Sequence, residues 1–190
     1  TQKEPPEIER YLPEVPYTAR ENAVVLPYAD NPLDDEHTGE NVYMNILNSA
    51  QEYAYFITPY LLISDEMKKA FTLAARRGVD VRIITPGIPD KKFVYQATRS
   101  YYNRLVKKGV RIFEYTQGFC HAKQRVSDDK AAVVGTINLD YRSLYHHFEN
   151  AAAFYHKDAV AGVKADFDHL FEECHEVTEQ YRSHQTVFLF

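Results

Sequence analysis

Strands alternating with helices predict an α/β domain, an α-β-α sandwich with helices on both faces of one mixed sheet. Three observations carry this prediction. Short apolar runs at 23–29, 53–58, 79–85 and 110–115 are bounded by breaker residues and rich in β-branched or aromatic side chains. Longer stretches between them have helical character, and two of these close on Gly78 and Gly109. Two further strands, 119–127 and 130–136, are separated only by a turn signal at Asp128-Asp129, so they form an antiparallel hairpin.

Residues 1–22 are acidic and punctuated by Pro5, Pro6, Pro13 and Pro16, and read as a linker or peripheral arm. The domain occupies 23–190. After the strand 23–29, Asn31-Pro32, Asp34-Asp35 and Gly39 mark 30–39 as a loop. A helix follows at 40–51, with Val42, Ile46 and Leu47 on one side. The strand 53–58 stops at Pro59. Ser64 can cap a helix that runs through Arg77. Pro86 stops the strand 79–85, and a helix fits 93–108. The run HFENAAAFY, 147–155, reads as another strand, and a last helix fits 158–182.

The chain has 190 residues, 45% hydrophobic and 26% charged, which suits a single domain with a substantial core. No apolar run approaches the roughly 20 residues that span a bilayer. Two cysteines, Cys120 and Cys174, give no disulfide framework and fit a reducing, cytoplasm-like compartment. Net charge is −5 but unevenly spread. Residues 1–40 carry three basic side chains against ten acidic ones, whereas residues 99–125 carry seven against one. The cationic stretch leads toward His121 and could steer anionic headgroups. A solvated helix face is the plainer reading of 96–108. One basic patch on an acidic chain argues against broad nucleic-acid coating.

The chemistry gathers around His121, Lys123 and Asp128, with Gly-Thr-Ile-Asn at 135–138 and Glu149 beyond. On a strand, alternate side chains share a face. His121 and Lys123 therefore project together, with Cys120 and Ala122 opposite. The same parity makes Cys120 a packing thiol rather than a nucleophile. Asp128 has the other parity and should organise the turn. Asn138 can donate an amide hydrogen bond to a phosphoryl oxygen. A Glu149 carboxylate could accept the Nδ1 proton of His121 and turn Nε2 toward phosphorus. Such groups suit phosphoryl transfer: a neutral imidazole attacks, and fixed donors and cations offset charge on the equatorial oxygens. No metal or cofactor is required. A second imidazole is needed to protonate the leaving alkoxide, so one copy of the motif amounts to half a site. The triplet His156-Lys157-Asp158 has the same letters, but adjacent strand residues face opposite sides.

HAKQRVSD resembles the HxKx4D signature of the phospholipase D superfamily, and GTIN resembles its GSxN element with Thr136 for Ser. VVGTINLDYRSLYHHFEN, FITPYLL, AARRGVDVRIITPGIPDKK and KKGVRIFEYTQGFCHAK are similar to the second, C-terminal catalytic domain of bacterial cardiolipin synthases, over roughly 23–182. The resemblance implies a phospholipase D-like fold and one lobe of a two-lobed catalytic unit. It implies transfer of a phosphatidyl group between two phosphatidylglycerols through a phosphohistidine, with release of glycerol. His121 would be either nucleophile or general acid/base. Lys123, Asn138 and Thr136 would bind phosphate, Glu149 would orient His121, and Asp128 is the motif's third member. Implied partners are anionic phospholipid and the missing first HxK lobe, or a homodimer mate. The full-length protein would sit at the cell membrane, and this chain, with one motif and no anchor pair, would be a fragment of it. Two other readings stand beside this one. One is a phosphodiesterase or nuclease active as a homodimer. The other is an isolated lobe that binds headgroups or a partner without catalysis.

Tyr60, at the Pro59-Tyr60 corner, is a candidate for lining a substrate groove. Arg142 and Ser143 either contact phosphate or brace the loop after Asn138. His169, Cys174 and His175 lack clean metal-ligand spacing. Val187 to Phe190 form an apolar end that could touch membrane or a partner lobe.

Overall fold

The computed structural model describes residues 7–11, 18 and 23–183. Ten strands are present: β1 (Val24–Asp30), β2 (Tyr53–Ile57), β3 (Leu61–Leu62), β4 (Asp80–Pro86), β5 (Arg111–Tyr115), β6 (Gln124–Ser127), β7 (Ala131–Gly135), β8 (Leu139–Asp140), β9 (Glu149–Tyr155) and β10 (Cys174–Glu176). The helices are α1 (Thr38–Ser49), α2 (Asp65–Arg76), α3 (Lys92–Val106), α4 (Tyr141–His146), α5 (Lys157–Glu173) and α6 (Thr178–Ser183). Eight strands form one sheet in the order β1-β9-β7-β6-β2-β4-β5-β10. The pairs β2·β4 and β4·β5 are parallel, and the rest are antiparallel, so the sheet is mixed as expected.

Strand alternation sorts the core into two layers. Ala54, Phe56, Val81, Ile83 and Ile112 face α1, α2 and α3 in the larger cluster, with Tyr43, Leu47, Phe71 and Leu105. Tyr55, Ile57, Ile84, Phe113 and Val126 face α5, through Val160 and Phe167. Helix signals in the sequence act where they stand. The Ser64 hydroxyl accepts the Met67 amide at 3.0 Å to cap α2. Gly78 and Gly109 take positive φ of 95° and 104° just past α2 and α3.

Three local expectations need correction. The 158–182 helix is broken: α5 ends at Glu173, and Cys174–Glu176 pair with Phe113–Tyr115 as an edge strand before α6 begins. Pairing wins because it covers the edge of β5. The Val177 amide donates to the Ile112 carbonyl at 3.0 Å, Thr178 Oγ1 accepts the Ile112 amide at 3.1 Å, and Arg111 forks onto Glu176. The strand expected at 119–127 is regular only from Gln124. The segment after Asn138 is not an open loop: β8 pairs with β3, and Asp140 caps α4 by accepting the Ser143 amide at 3.0 Å. Of the expected arm, only 7–11 and residue 18 are described; Ile8–Tyr11 form a 3-10 turn. The apolar end 187–190 lies outside the described residues. Among the described residues no helix is long and apolar enough to cross a membrane.

Candidate active site

The β6–β7 hairpin places the motif. Asp128 and Asp129 take positive φ of 52° and 55° in its turn, a conformation Asp tolerates better than most residues. The buried Asp128 carboxylate is occupied by backbone: it accepts the amides of Gln51 at 2.8 Å, Glu52 at 3.0 Å and Tyr53 at 2.9 Å. Asp128 thus pins the hairpin to the start of β2. At about 3.3 Å per residue it lies roughly 20 Å along the chain from His121. The structure does not bring this third member of the motif to the site.

At the other end of the hairpin, His121 and Lys123 share a face, with Cys120 and Ala122 packed against the α5 layer behind them. Lys123 Nζ lies 2.8 Å from His121 Nδ1 and donates to the His121 carbonyl at 2.6 Å. Burial, and then the ammonium, push the His121 imidazole below its ordinary value, against the opposing pull of Asp90. Both effects favour the neutral ring, the form that can attack phosphorus. Burial also lowers Lys123, which Glu149 counteracts and Arg125 reinforces. The Cys120 thiol is raised by burial, which disfavours the thiolate a nucleophile needs.

His121, Lys123, Gln124, Thr136, Asn138 and Glu149 line one open cavity of ≈560 Å³. The Asn138 amide nitrogen of the backbone donates to Ser143 Oγ at 2.8 Å, and that hydroxyl donates to Glu149 Oε1 at 2.7 Å. Ser143 therefore braces the segment that begins at Asn138, while Asn138 Oδ1 is buried without a partner among the described residues. Glu149 departs from expectation: its carboxylate takes the Ser143 hydroxyl, and Nδ1 of His121 faces Lys123 instead. Thr136 lines the cavity, but its hydroxyl is spent on Asn150, donating to the carbonyl at 3.2 Å and accepting the amide at 3.0 Å. Gly135 is required there, because a Cβ would stand 2.4 Å from Ala151 Cβ and 2.5 Å from the Asn150 carbonyl oxygen.

A second cleft of ≈420 Å³ shares Asn138 with the first. Its walls are largely apolar, from Tyr60, Leu62, Phe93, Val94, Ala97 and Tyr141, with Lys91, Arg142 and His147 also present. Tyr60 lies where its corner position suggested, its ring centroid 6.5 Å from that of His121 and its hydroxyl donating to Asp90 at 2.5 Å. Arg142 donates to His147 Nε2 at 2.7 Å. Phe93, 82% exposed, carried no sequence signal beyond being apolar at a helix start.

The cationic stretch 99–125 does not form one surface leading to the motif. Arg99 pairs with Glu114 at 3.4 Å, Arg111 with Glu176 at 2.8 Å, and Arg125 is wholly buried. His156 starts α5 with φ 104°, away from any such site. Among the described residues, no group of three or more His, Cys, Asp or Glu side chains is placed to hold a metal ion, and this includes His169, Cys174 and His175.

The chain is 54% identical over 157 residues to an uncharacterized protein of Streptococcus mutans, covering 83% of this chain and 34% of that one. It is 40% identical to a cardiolipin synthase of a Geobacillus species, over 67% of this chain and 26% of that one. It is 32% identical to the cardiolipin synthase of Halalkalibacterium halodurans, over 91% of this chain and 35% of that one. The matched region thus spans about a third or less of these relatives' length. Among solved structures, Nuc, a phospholipase D family member of Salmonella typhimurium, superposes with a TM-score of 0.68 at 16% identity, covering 81% of this chain and 97% of that one. The phosphatidylserine synthase of Haemophilus influenzae gives 0.71 at 16%, covering 86% and 42%. Residues 43–171 match the family described as cardiolipin synthase, PLD-like domain, and the chain belongs to that family.

Proposed function

We propose that this chain is the C-terminal catalytic lobe of a cardiolipin synthase, transferring a phosphatidyl group from one phosphatidylglycerol to another. The observation that carries the reading is the junction of two chemistries at Asn138. A cavity holding an imidazole and an ammonium adjoins an apolar cleft able to take the glyceride end of a lipid. The family membership and the named cardiolipin synthase relatives support the same substrate class.

In this reading the neutral His121 ring attacks the phosphorus of the donor lipid. A P–N bond forms as the P–O bond to the headgroup glycerol breaks. Lys123 and the Asn138 side-chain amide hold the phosphoryl oxygens. Thr136 borders that position, and Glu149, through Ser143, keeps Asn138 in place. The leaving glycerol oxygen takes a proton from a second imidazole, supplied by the first HxK lobe of the same protein. That imidazole then takes the proton of the acceptor's glycerol hydroxyl, whose oxygen attacks phosphorus, breaking the P–N bond and releasing cardiolipin. The reaction takes place at the membrane surface, with anchoring segments supplied elsewhere in the protein.

The test is the full-length enzyme on phosphatidylglycerol vesicles. Cardiolipin and glycerol should appear in equal amounts, and His121→Ala should lower the rate by at least about 10⁴-fold. Phosphatidic acid as the only lipid product would reject the synthase reading. A phosphodiesterase assembled as a homodimer competes with it, favoured by the Nuc likeness, which covers nearly the whole of that chain. Sedimentation of this chain as a strict monomer would reject the competitor.

A further inference from the structure

The face that carries His121 and Lys123 continues inward to Arg125, two residues on. The Lys123 ammonium folds back to within 2.8 Å of the imidazole, and Arg125 stands on the regular part of β6, one alternation further in. Exposure falls along this face: His121 is exposed, Lys123 half-buried and Arg125 0% exposed. Among the described residues, none of the groups that bind Arg125 is a carboxylate. Its two terminal nitrogens donate to the carbonyls of Ile137 at 3.1 Å, Ile57 at 3.3 Å and Gln124 at 3.4 Å. Its guanidinium carbon lies 4.1 Å from the centroid of the Tyr43 ring, and its Nε has no partner among the described residues.

A buried cation without a counter-ion is costly. The three carbonyls call for donors but not for a full charge; the position of Arg125 gives the charge a use. Ile137, whose carbonyl Arg125 and the Tyr43 hydroxyl both grip, immediately precedes Asn138 in the cavity wall. Gln124 and Lys123, next to Arg125 in the chain, line the same cavity. A cation beneath that wall acts through protein rather than water, so its field is weakly screened.

We propose that Arg125 is a positioning residue for the phosphoryl group, a fixed buried countercharge that sets the potential of the cavity and holds the Ile137-Asn138 backbone against it. An anionic phosphodiester seated on Lys123 and Asn138 supplies the negative charge that Arg125 lacks inside the protein. This rests on the reading of the cavity as a phosphate site. The lowering of Lys123 by Arg125 is the same field acting on a cation.

The test uses this chain, inorganic phosphate and two neutral variants. Arg125→Met keeps the volume, and Arg125→Gln keeps a donor for the Ile137 carbonyl. Both should fold, Arg125→Met with a lower Tm because it orphans buried carbonyls, yet bind phosphate at least about tenfold more weakly in a calorimetric titration. In both, the Lys123 pKa followed by NMR should rise, a change that a purely packing role would not produce. Arg125→Lys, which keeps the charge, should recover part of the affinity. A folded neutral variant that loses less than threefold in affinity overturns the proposal. So does failure of both neutral variants to fold, since the guanidinium would then be a requirement of the core. A parent that binds no phosphate sinks the phosphate site itself. A parent that binds and a neutral variant that binds equally sinks only the role of Arg125.

Discussion

Removing the Asp128 carboxylate should damage the fold and spare the site. Three backbone amides, from Gln51, Glu52 and Tyr53, converge on it. A hydrogen bond to a charged acceptor is worth about 1.5–3 kcal/mol, but Gln51 and Glu52 are exposed, so water replaces part of what is lost. A total of about 3 kcal/mol is the reasonable sum for Asp128→Gly, which keeps the positive φ without strain. Asp128→Ala adds roughly 1 kcal/mol for a Cβ in the left-handed region. Asp128→Asn keeps an oxygen for Glu52 and Tyr53, both of which bind Oδ1, and loses the one facing Gln51, so it should fall about midway. For a domain of this size, ~3 kcal/mol lowers Tm by roughly 6–12 °C. Urea unfolding of the three variants gives the stabilities, and phosphate titration of the folded forms gives the affinity. Phosphate affinity should stay within twofold of the parent. A glycine variant within 1 kcal/mol of the parent, or a folded variant with tenfold weaker phosphate binding, would refute the assignment of Asp128 to the scaffold.

Other perturbations read different parts of the structure. Lys123→Met removes one of the two causes that depress His121, so the imidazole should titrate closer to its ordinary pKa of about 6.5 in an NMR pH series. An unchanged value would mean that burial alone sets it. Since the depressed His121 binds fewer protons folded than unfolded, its contribution makes stability rise with pH from its folded pKa up to about 6.5. That slope should shrink in His121→Gln, measured by urea unfolding across the window. Gly135→Ala forces a Cβ onto Ala151 and the Asn150 carbonyl, and should cost about 2–3 kcal/mol in the same assay. Ser143→Ala deprives the Asn138 amide and the Glu149 carboxylate of their shared partner. It should cost about 1–2 kcal/mol and weaken phosphate binding severalfold, read by unfolding and titration together.

The sequence shows the sheet-and-helix rhythm because its punctuation is chemical: Ser64, Gly78 and Gly109 act at the positions they mark. The alternation expected of a strand pairs His121 with Lys123 and turns Cys120 away, and both hold although regular strand begins only at Gln124. Arg125 counted in the sequence only as one member of a basic stretch, because a charged residue there reads as surface until its burial is known. Long-range competition hid the rest. Cys174–Glu176 leave a helical pattern because the edge of β5, some sixty residues earlier, offers pairing. Glu149 and Ser143 meet only after α4 turns the chain back, so spacing alone could not show that Glu149 serves Ser143 rather than His121. The apolar cleft is likewise assembled from β3, α3 and α4, which no local pattern connects.

The ladder between β2 and β6 ends at the Ile57–Gln124 pair, one residue short of Lys123. Beyond that point the segment His121–Lys123 is tied to β7 through the Gly135 amide, which donates to the Lys123 carbonyl at 3.2 Å. The proposed chemistry is thus mounted on the fringe of the weave, while the residues that give the hairpin its strength stand farther in. Such an arrangement separates tolerance from purpose. Alterations at His121 or Lys123 should cost reactivity with little loss of solidity, which makes this tip the natural place for a lineage, or an engineer, to exchange one reaction for another.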